Sequence, residues 1–327
     1  MSKSELRKKL SGIAVSLPTF NDENYNLQIE KTKLHVSWLL NNGISKDNSV
    51  LFIAGGLGEG YFLDDFEWES LANALVEAVD GRLSAGIGIF ELSARKAAKK
   101  AAYASNLGMD FIQCAPPRYL QPTEDEIFGH YQYISDNADI GIMGYNTPWA
   151  MPTGYTFSQR LIERFLELEN FVGLKWNTIP AQHHINMIRL FADNLSFISN
   201  GNVMSTGYRV GAIGFSDFIA NVAPRLSLHR LKLIREKSFN EFDELELNMS
   251  IDPPLKSSDS GEAFDTGMGE GPGGRLILKS LGMNTGPHFP SQLILPEEAV
   301  RLQDRIVKAS GILEWVDWND NIFEQPN

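Results

Sequence analysis

The feature that most constrains the fold is an eightfold alternation of short apolar segments with amphipathic helical segments. Apolar and β-branched runs predict strands near 12–19, 49–55, 82–90, 110–115, 139–145, 171–176, 195–199 and 212–219. Helical patterns lie between and after them, near 26–42, 64–79, 93–107, 123–137, 157–169, 180–192, 203–210 and 224–237. Strand–helix units that repeat at about thirty residues are typical of a parallel (β/α)8 TIM barrel. An open doubly wound sheet is the alternative, because periodicity alone does not show closure.

After about residue 238 the strand pattern stops and helical patterns continue. We therefore divide the chain into a barrel over residues 1–237 and a C-terminal helical extension over residues 238–327. Within the extension, residues 253–274 are rich in Gly, Ser and Asp and contain few large apolar side chains. Such a segment buries too little apolar surface to order itself, so we predict a flexible insertion there. The charged residues before the first strand indicate an N-terminal turn.

Composition limits the partners and the compartment. The chain has 327 residues and a formal net charge of −12, which argues against a general binder of nucleic acid or of an anionic membrane. No apolar run approaches the roughly 20 residues of a membrane span. The single cysteine, Cys114, excludes an intramolecular disulfide and a cysteine-based zinc site, and it favours a reducing, cytoplasmic location. No sequence pattern indicates a metal or a cofactor.

The residue with the clearest chemical meaning is Lys175, inside the apolar segment FVGLKWN over 171–177. Burial of an unpaired ammonium is unfavourable, so a lysine in a buried strand tends to have a lowered pKa. The neutral amine is a nucleophile that forms a Schiff base with a ketone. The alternative is a lysine at a strand end whose amine reaches water. Tyr145 precedes Lys175 by about one strand–helix unit, which predicts that both lie at the ends of adjacent strands.

Five stretches of the sequence resemble one enzyme family. They are AGGLGEGYFL (54–63), PPRYLQPTEDE (116–126), GYNTPW (144–149), GLKWN (173–177) and GFSDFIANVAP (214–224). In order and spacing, roughly residues 11–240 are similar to the dihydrodipicolinate synthase and N-acetylneuraminate lyase family of class I Schiff-base enzymes. The resemblance implies a (β/α)8 barrel, a small 2-oxo acid as substrate and a homo-oligomer, either a tetramer or a dimer.

The resemblance also implies a role for three side chains. Lys175 corresponds to the lysine whose amine attacks C2 of a pyruvate-like 2-oxo acid. Tyr145 corresponds to the tyrosine that moves protons while the iminium forms. Tyr119 corresponds to the tyrosine that the neighbouring subunit donates to the site, and an ordinary surface aromatic is an equal alternative for it.

The loop after the second strand departs from the family pattern. Residues 55–59 stand where the family has Gly-Thr-Thr-Gly-Glu, so Gly56 and Leu57 replace two threonines. Their backbone amides, with that of Gly58, are still expected to bind the substrate carboxylate. The hydroxyl relay that normally joins the active-site tyrosine to the neighbour's tyrosine is missing. TPWAMPTGY (147–155) also lacks the arginine that follows the Tyr-Asn turn in the synthase branch.

Three functions stay open at this point. The first is a Schiff-base lyase of the aldolase type that acts on pyruvate or a related 2-oxo acid through Lys175. The second is a sugar-acid dehydratase, since AGGLGEG is also similar to the 5-dehydro-4-deoxyglucarate dehydratase branch. The third is a barrel that has lost turnover and binds a ligand, which the missing threonines and arginine would favour. In each case Asn202, Ser216 and Asp217, at the ends of the last two predicted strands, are expected to contact substrate hydroxyls.

Overall fold

Eight parallel strands form a closed barrel in chain order, with the last strand paired to the first. The computed structural model describes residues 1–148, 151–178, 180–200, 204–251, 255–256, 264–265, 270–292 and 294–324. The barrel strands are β1 (Gly12–Ser16), β2 (Ser49–Ile53), β3 (Ser84–Ile89), β4 (Phe111–Cys114), β5 (Gly141–Asn146), β6 (Phe171–Trp176), β7 (Ser196–Ser199) and β8 (Gly214–Asp217). The predicted barrel is confirmed, and the open sheet is excluded.

A helix follows each barrel strand in the part of the chain that the structure describes. These helices are α2 (Ile29–Asn41), α3 (Asp65–Val79), α4 (Ala94–Asn106), α5 (Glu124–Asn137), α6 (Gln159–Phe165), α7 (Ala181–Phe191), α8 (Met204–Arg209) and α9 (Pro224–Arg235). Alternate strand residues pack outward against them, so the larger apolar core lies between barrel and helices. A smaller cluster fills the barrel itself and includes Ala14, Val50, Phe52 and Phe111.

The N-terminal segment is a helix, α1 (Lys3–Lys9), and the prediction of a charged turn was wrong. Ser2 and Glu5 form a reciprocal capping box that satisfies backbone donors at its first turn. Leu6 and Leu10 are buried in the cluster inside the barrel, which α1 closes at the N-terminal ends of the strands. The charged residues of α1 occupy its outer side, which hid this apolar face in the sequence.

The C-terminal extension packs on the barrel through an apolar cluster that includes Phe20, Leu226, Leu278 and Trp318. Its elements are α10 (Phe239–Met249), β9 (Leu255–Lys256), β10 (Phe264–Asp265), α11 (Gly271–Ser280) and α12 (Glu297–Ala309). The pair β9–β10 is an exception to the expected absence of strands. Residues 271–274 begin α11, whereas most of the predicted insertion lies outside the described residues, so its flexibility stays a prediction. In the described chain, no helix is long and apolar enough to cross a membrane.

Candidate active site

Lys175 and Tyr145 lie side by side at the C-terminal ends of β6 and β5, where they are direct register partners. Both side chains are buried, with 4% and 1% of their surface exposed. The Lys175 Nζ atom lies 4.8 Å from the centroid of the Tyr145 ring, within the range of a cation–π contact. The predicted adjacency of these two strand ends is therefore present, and it puts an amine beside a phenol at the end of the barrel where such enzymes bind substrates.

The surroundings of this pair change the proton affinity of both groups. Burial lowers the pKa of the Lys175 amine, and the negative charge of Glu270 opposes this effect. Burial raises the pKa of the Tyr145 phenol, and the Glu270 carboxylate raises it further. The amine is therefore easier to deprotonate than an ordinary lysine, and the phenol holds its proton more firmly than an ordinary tyrosine. This combination suits a nucleophilic amine beside a phenol that stays protonated.

Glu270 is a member of the site that the sequence analysis did not identify. It immediately precedes α11, and the Tyr145 hydroxyl donates a hydrogen bond to its Oε1 atom. Its backbone N–H donates to the Tyr61 hydroxyl at 3.0 Å. Its carboxylate makes no capping hydrogen bond to its own helix, so the side chain is directed to the barrel. No motif indicated this residue, because it lies in the segment that composition had assigned to a loop.

Gly56 provides the space that the Glu270 carboxylate occupies. A Cβ atom added to Gly56 would lie 2.5 Å from Glu270 Oε2 and 2.6 Å from Tyr145 Oη, closer than van der Waals contact allows. The predicted loop thus contacts the site through Gly56. Leu57 points away from it, toward α11, where a Cβ added to Gly274 would lie 2.0 Å from Leu57 Cδ1. Gly58 lies against the first strand's end, since an added Cβ would approach the Leu17 carbonyl oxygen at 2.8 Å.

A buried ion pair fixes α11 against the same loop. Arg275 Nε donates to Glu59 Oε2 at 2.8 Å, and Gln292 Nε2 donates to Glu59 Oε1 at 2.6 Å. A Cβ added to Gly271 would lie 1.7 Å from Glu59 Oε1, so only glycine permits this approach of the helix. Glu59 thus holds α11 and the loop after β2 together. Because Glu270 immediately precedes α11, these contacts also determine its position.

Aromatic rings and one cation form the wall beside Tyr145. The Phe90 ring makes edge-to-face contacts with Tyr145 and Tyr61, at centroid distances of 5.8 and 5.5 Å. The Arg118 guanidinium lies 5.3 Å from the Phe90 centroid and 5.7 Å from that of Tyr61. Tyr119 is 81% exposed. Because it lies on these rings, Arg118 is a second residue beside the site, after Glu270, that the sequence analysis did not include among the candidates.

The three residues that were predicted to contact substrate near the last two strands lie in different surroundings. Asn202 lies outside the described residues. Ser216 is half-buried on β8, and its register partner is Ala14 of the cluster inside the barrel. The Asp217 carboxylate accepts hydrogen bonds from the Ser227 hydroxyl at 2.7 Å and from Arg230 Nη1 at 3.2 Å, both on α9. Asp217 therefore faces the helix layer, and its contact with substrate stays a prediction.

No group of three or more His, Cys, Asp and Glu side chains in the described part of the chain is arranged to hold a metal ion. The groups available at the barrel mouth are an amine, phenols, a carboxylate and a guanidinium. Together they can perform nucleophilic addition and proton transfer on a small carbonyl compound.

Comparisons with known proteins agree with this class of barrel enzyme. The model of the Dihydrodipicolinate synthetase family matches residues 9–251, so the chain belongs to that family. A 4-hydroxy-tetrahydrodipicolinate synthase from Thermotoga sp. (strain RQ2) is 30% identical over 219 residues, which are 65% of this chain and 71% of the relative. Membership supports a lyase or synthase of the aldolase type. Glu270 and Arg275 lie beyond the matched residues.

Solved structures of the same kind share the fold. A dihydrodipicolinate synthase from Acinetobacter baumannii, complexed with pyruvate, has a TM-score of 0.76 at 19% identity and covers 92% of this chain and 99% of its own. A sialic acid aldolase from Ruminococcus gnavus, solved as a catalytic lysine mutant, has a TM-score of 0.73 at 18% identity, with 92% of this chain and 97% of that chain covered. At these identities the similarity establishes the barrel and its helices.

Proposed function

We propose that this protein is a Schiff-base lyase that binds pyruvate or a related 2-oxo acid covalently through Lys175. The observation that carries the proposal is the buried amine of Lys175, with a lowered pKa, directly beside the Tyr145 ring at the C-terminal ends of the strands. Burial of a charged lysine at this position lowers the stability of the fold, so its presence there favours a chemical role.

In the proposed reaction the neutral Lys175 amine adds to C2 of the 2-oxo acid. The C2 oxygen takes up two protons and leaves as water, which gives an iminium cation. The cation withdraws electrons from C3, so a C3–H bond breaks and an enamine forms. In the synthetic direction C3 of the enamine attacks an aldehyde carbon, and in the reverse direction the C3–C4 bond breaks and releases the aldehyde. Tyr145 transfers the protons.

Two of the solved structures with the same fold support this assignment. The structure from Acinetobacter baumannii contains pyruvate, and the structure from Ruminococcus gnavus is described by its catalytic lysine. Both proteins have the same barrel as this chain. Retention of Lys175 and Tyr145 favours an active lyase over a barrel that only binds a ligand.

We also propose that the protein works as a homo-oligomer in the cytoplasm, either a tetramer or a dimer. Tyr119 is a large aromatic residue with 81% of its surface exposed, which fits a side chain donated to a neighbouring subunit. Cys114 is a buried free thiol, which fits a reducing compartment. Light scattering on the purified protein measures the assembly, and a Tyr119→Ala variant tests whether activity depends on it.

Reductive trapping tests the main proposal. The folded protein is incubated with pyruvate, 2-oxobutyrate or 2-oxoglutarate in the presence of borohydride, and intact mass and peptide mapping then locate any adduct. We expect one adduct, on Lys175, and none in Lys175→Ala. If no 2-oxo acid labels Lys175, the ligand-binding alternative is preferred. If Lys175 is labelled, a screen of aldehydes and sugar acids distinguishes an aldolase from a dehydratase.

A further inference from the structure

We infer that Glu270 is the proton-relay partner of Tyr145, so that a carboxylate from the C-terminal extension completes the barrel's site. The inference rests on the proposed Schiff-base function and extends it to a residue beyond the part of the chain that the family model matches. Glu270 acts through Tyr145 and positions its hydroxyl.

The contacts place Tyr145 between the carboxylate and the amine. The Tyr145 hydroxyl donates to Glu270 Oε1, while its ring lies 4.8 Å from Lys175 Nζ. The Glu270 charge acts on both groups. It opposes the lowering of the Lys175 pKa by burial, and it adds to the raising of the Tyr145 pKa. We infer that a proton from the amine reaches Glu270 through the Tyr145 hydroxyl.

Two independent contacts hold Glu270 in this position. Tyr61 accepts a hydrogen bond from the Glu270 backbone N–H at 3.0 Å, and the Arg275–Glu59 ion pair fixes α11 on the loop after β2. A carboxylate at the N-terminus of a ten-residue helix is also favoured by the helix dipole. The side chain nevertheless makes no capping bond, and it is the barrel tyrosine that it contacts. The extension thus brings a carboxylate to the Tyr145 hydroxyl.

The relay balances the protons of iminium formation. The Lys175 ammonium gives one proton to the Tyr145 hydroxyl while that hydroxyl passes its own proton to the Glu270 carboxylate, and the resulting neutral amine adds to C2. The Tyr145 hydroxyl gives its proton to the C2 oxygen and recovers one from Glu270. A second N–H proton follows the same route, and the C2–O bond breaks as water leaves. Nitrogen has then lost two protons, oxygen has gained two, and Glu270 ends as the carboxylate that faces the iminium cation.

Two other roles for Glu270 predict kinetic effects that differ from those of a proton relay. A purely structural residue would hold the Tyr145 ring, and an isosteric amide would replace it without loss. A carboxylate that merely obstructs the anion-binding loop at Gly56 would repel the substrate carboxylate, so its removal would lower KM. A relay residue changes kcat and the pH profile, because it handles protons in the transition state.

The test measures exchange of the C3 protons of pyruvate in deuterated water by NMR, a reaction that needs the iminium but no second substrate. Glu270→Gln keeps the shape of the side chain and loses the base. We expect kcat to fall by about 10²-fold while KM stays within about threefold, as for loss of a general acid–base group. Formate added to Glu270→Ala should restore part of the rate. A thermal melt checks that each variant is folded.

Glu124→Gln is the matched control, because the Tyr155 hydroxyl donates to Glu124 Oε1 at 2.9 Å in a second tyrosine–glutamate pair outside the site. Wild-type rates in Glu270→Gln, a lowered KM with unchanged kcat, or an equal loss in Glu124→Gln would each overturn the inference and leave the Schiff-base proposal intact. Absence of any Lys175 adduct in the wild type would instead overturn the proposed function, and the inference with it.

Discussion

The Glu270 carboxylate lies where the first side-chain carbon of residue 56 would otherwise be. A Cβ atom added to Gly56 falls 2.5 Å from Glu270 Oε2, so the glycine and the carboxylate are sterically complementary although they are distant in the chain. The same atom would lie 2.6 Å from Tyr145 Oη. A change at either residue therefore affects the geometry of the other and of Tyr145.

Gly56→Ala should displace Glu270 and slow pyruvate proton exchange by about tenfold or more, because the methyl group separates the carboxylate from Tyr145. In the Glu270→Ala background the added methyl group meets only the Tyr145 hydroxyl, so the same substitution should have a smaller further effect. The measurement is a double-mutant cycle on the exchange rate. Additive effects of the two substitutions would show that Gly56 and Glu270 are not coupled.

Tyr145→Phe should leave the fold unchanged, since only a hydroxyl is lost, and should slow proton exchange by about 10²-fold or more. Tyr155→Phe is the control, because it removes the hydroxyl of the second tyrosine–glutamate pair. Stopped-flow trapping of the Lys175 adduct measures the step directly. An unchanged rate in Tyr145→Phe would exclude its hydroxyl from proton transfer.

The pH dependence of Lys175 labelling has a predicted sign. Only the neutral amine attacks a ketone, and burial lowers the pKa of Lys175, so the labelling rate should rise with pH well below the ordinary lysine value of 10.5. The Glu270 charge opposes this shift, so the midpoint in Glu270→Gln should move to still lower pH. Cyanoborohydride labelling across a pH series gives both midpoints. A midpoint that moves upward in Glu270→Gln would contradict the assigned interaction.

Arg275→Met should destabilise the protein by about 3–5 kcal/mol, the usual effect of leaving one buried charge of a pair without its partner. Arg275 and Glu59 are both almost fully buried. Arg225→Met removes an exposed ion pair with Asp317 and should change stability by about 1 kcal/mol or less. Thermal and urea unfolding compare the two variants. Equal effects would mean that the Glu59 pair does not anchor α11.

The protein should be a poor dihydrodipicolinate synthase, although several of its relatives are synthases. GYNTPW (144–149) is not followed by the arginine that would bind the carboxylate of aspartate semialdehyde. Loss of such a charge-assisted contact lowers transition-state binding by roughly 10²- to 10³-fold. Coupled turnover with pyruvate and aspartate semialdehyde is measured beside adduct trapping. A kcat/KM near about 10⁵ M⁻¹s⁻¹ would show that another cation, with Arg118 the first candidate, replaces that arginine.

The sequence predicted the barrel and the placement of Lys175 and Tyr145 at the ends of adjacent strands. Both follow from local periodicity, because the end of each apolar run marks a strand end and adjacent strands of a parallel barrel align their ends. The helix α1 was also within reach of the sequence. Ser2 and Glu5 have the spacing of a capping box, but the surrounding charges obscured Leu6 and Leu10.

The position of Glu270 was decided only by the tertiary structure. It lies 125 residues after Tyr145, in a segment whose Gly-rich composition predicts no order, and nothing in its local sequence indicates a contact with the barrel. The contact exists because Glu59 and Arg275 pair in a buried place and Gly271 allows the helix to approach. Local periodicity therefore determined the scaffold and its lysine. Long-range charge pairing and close packing, which no short window of sequence contains, determined which carboxylate reaches Tyr145.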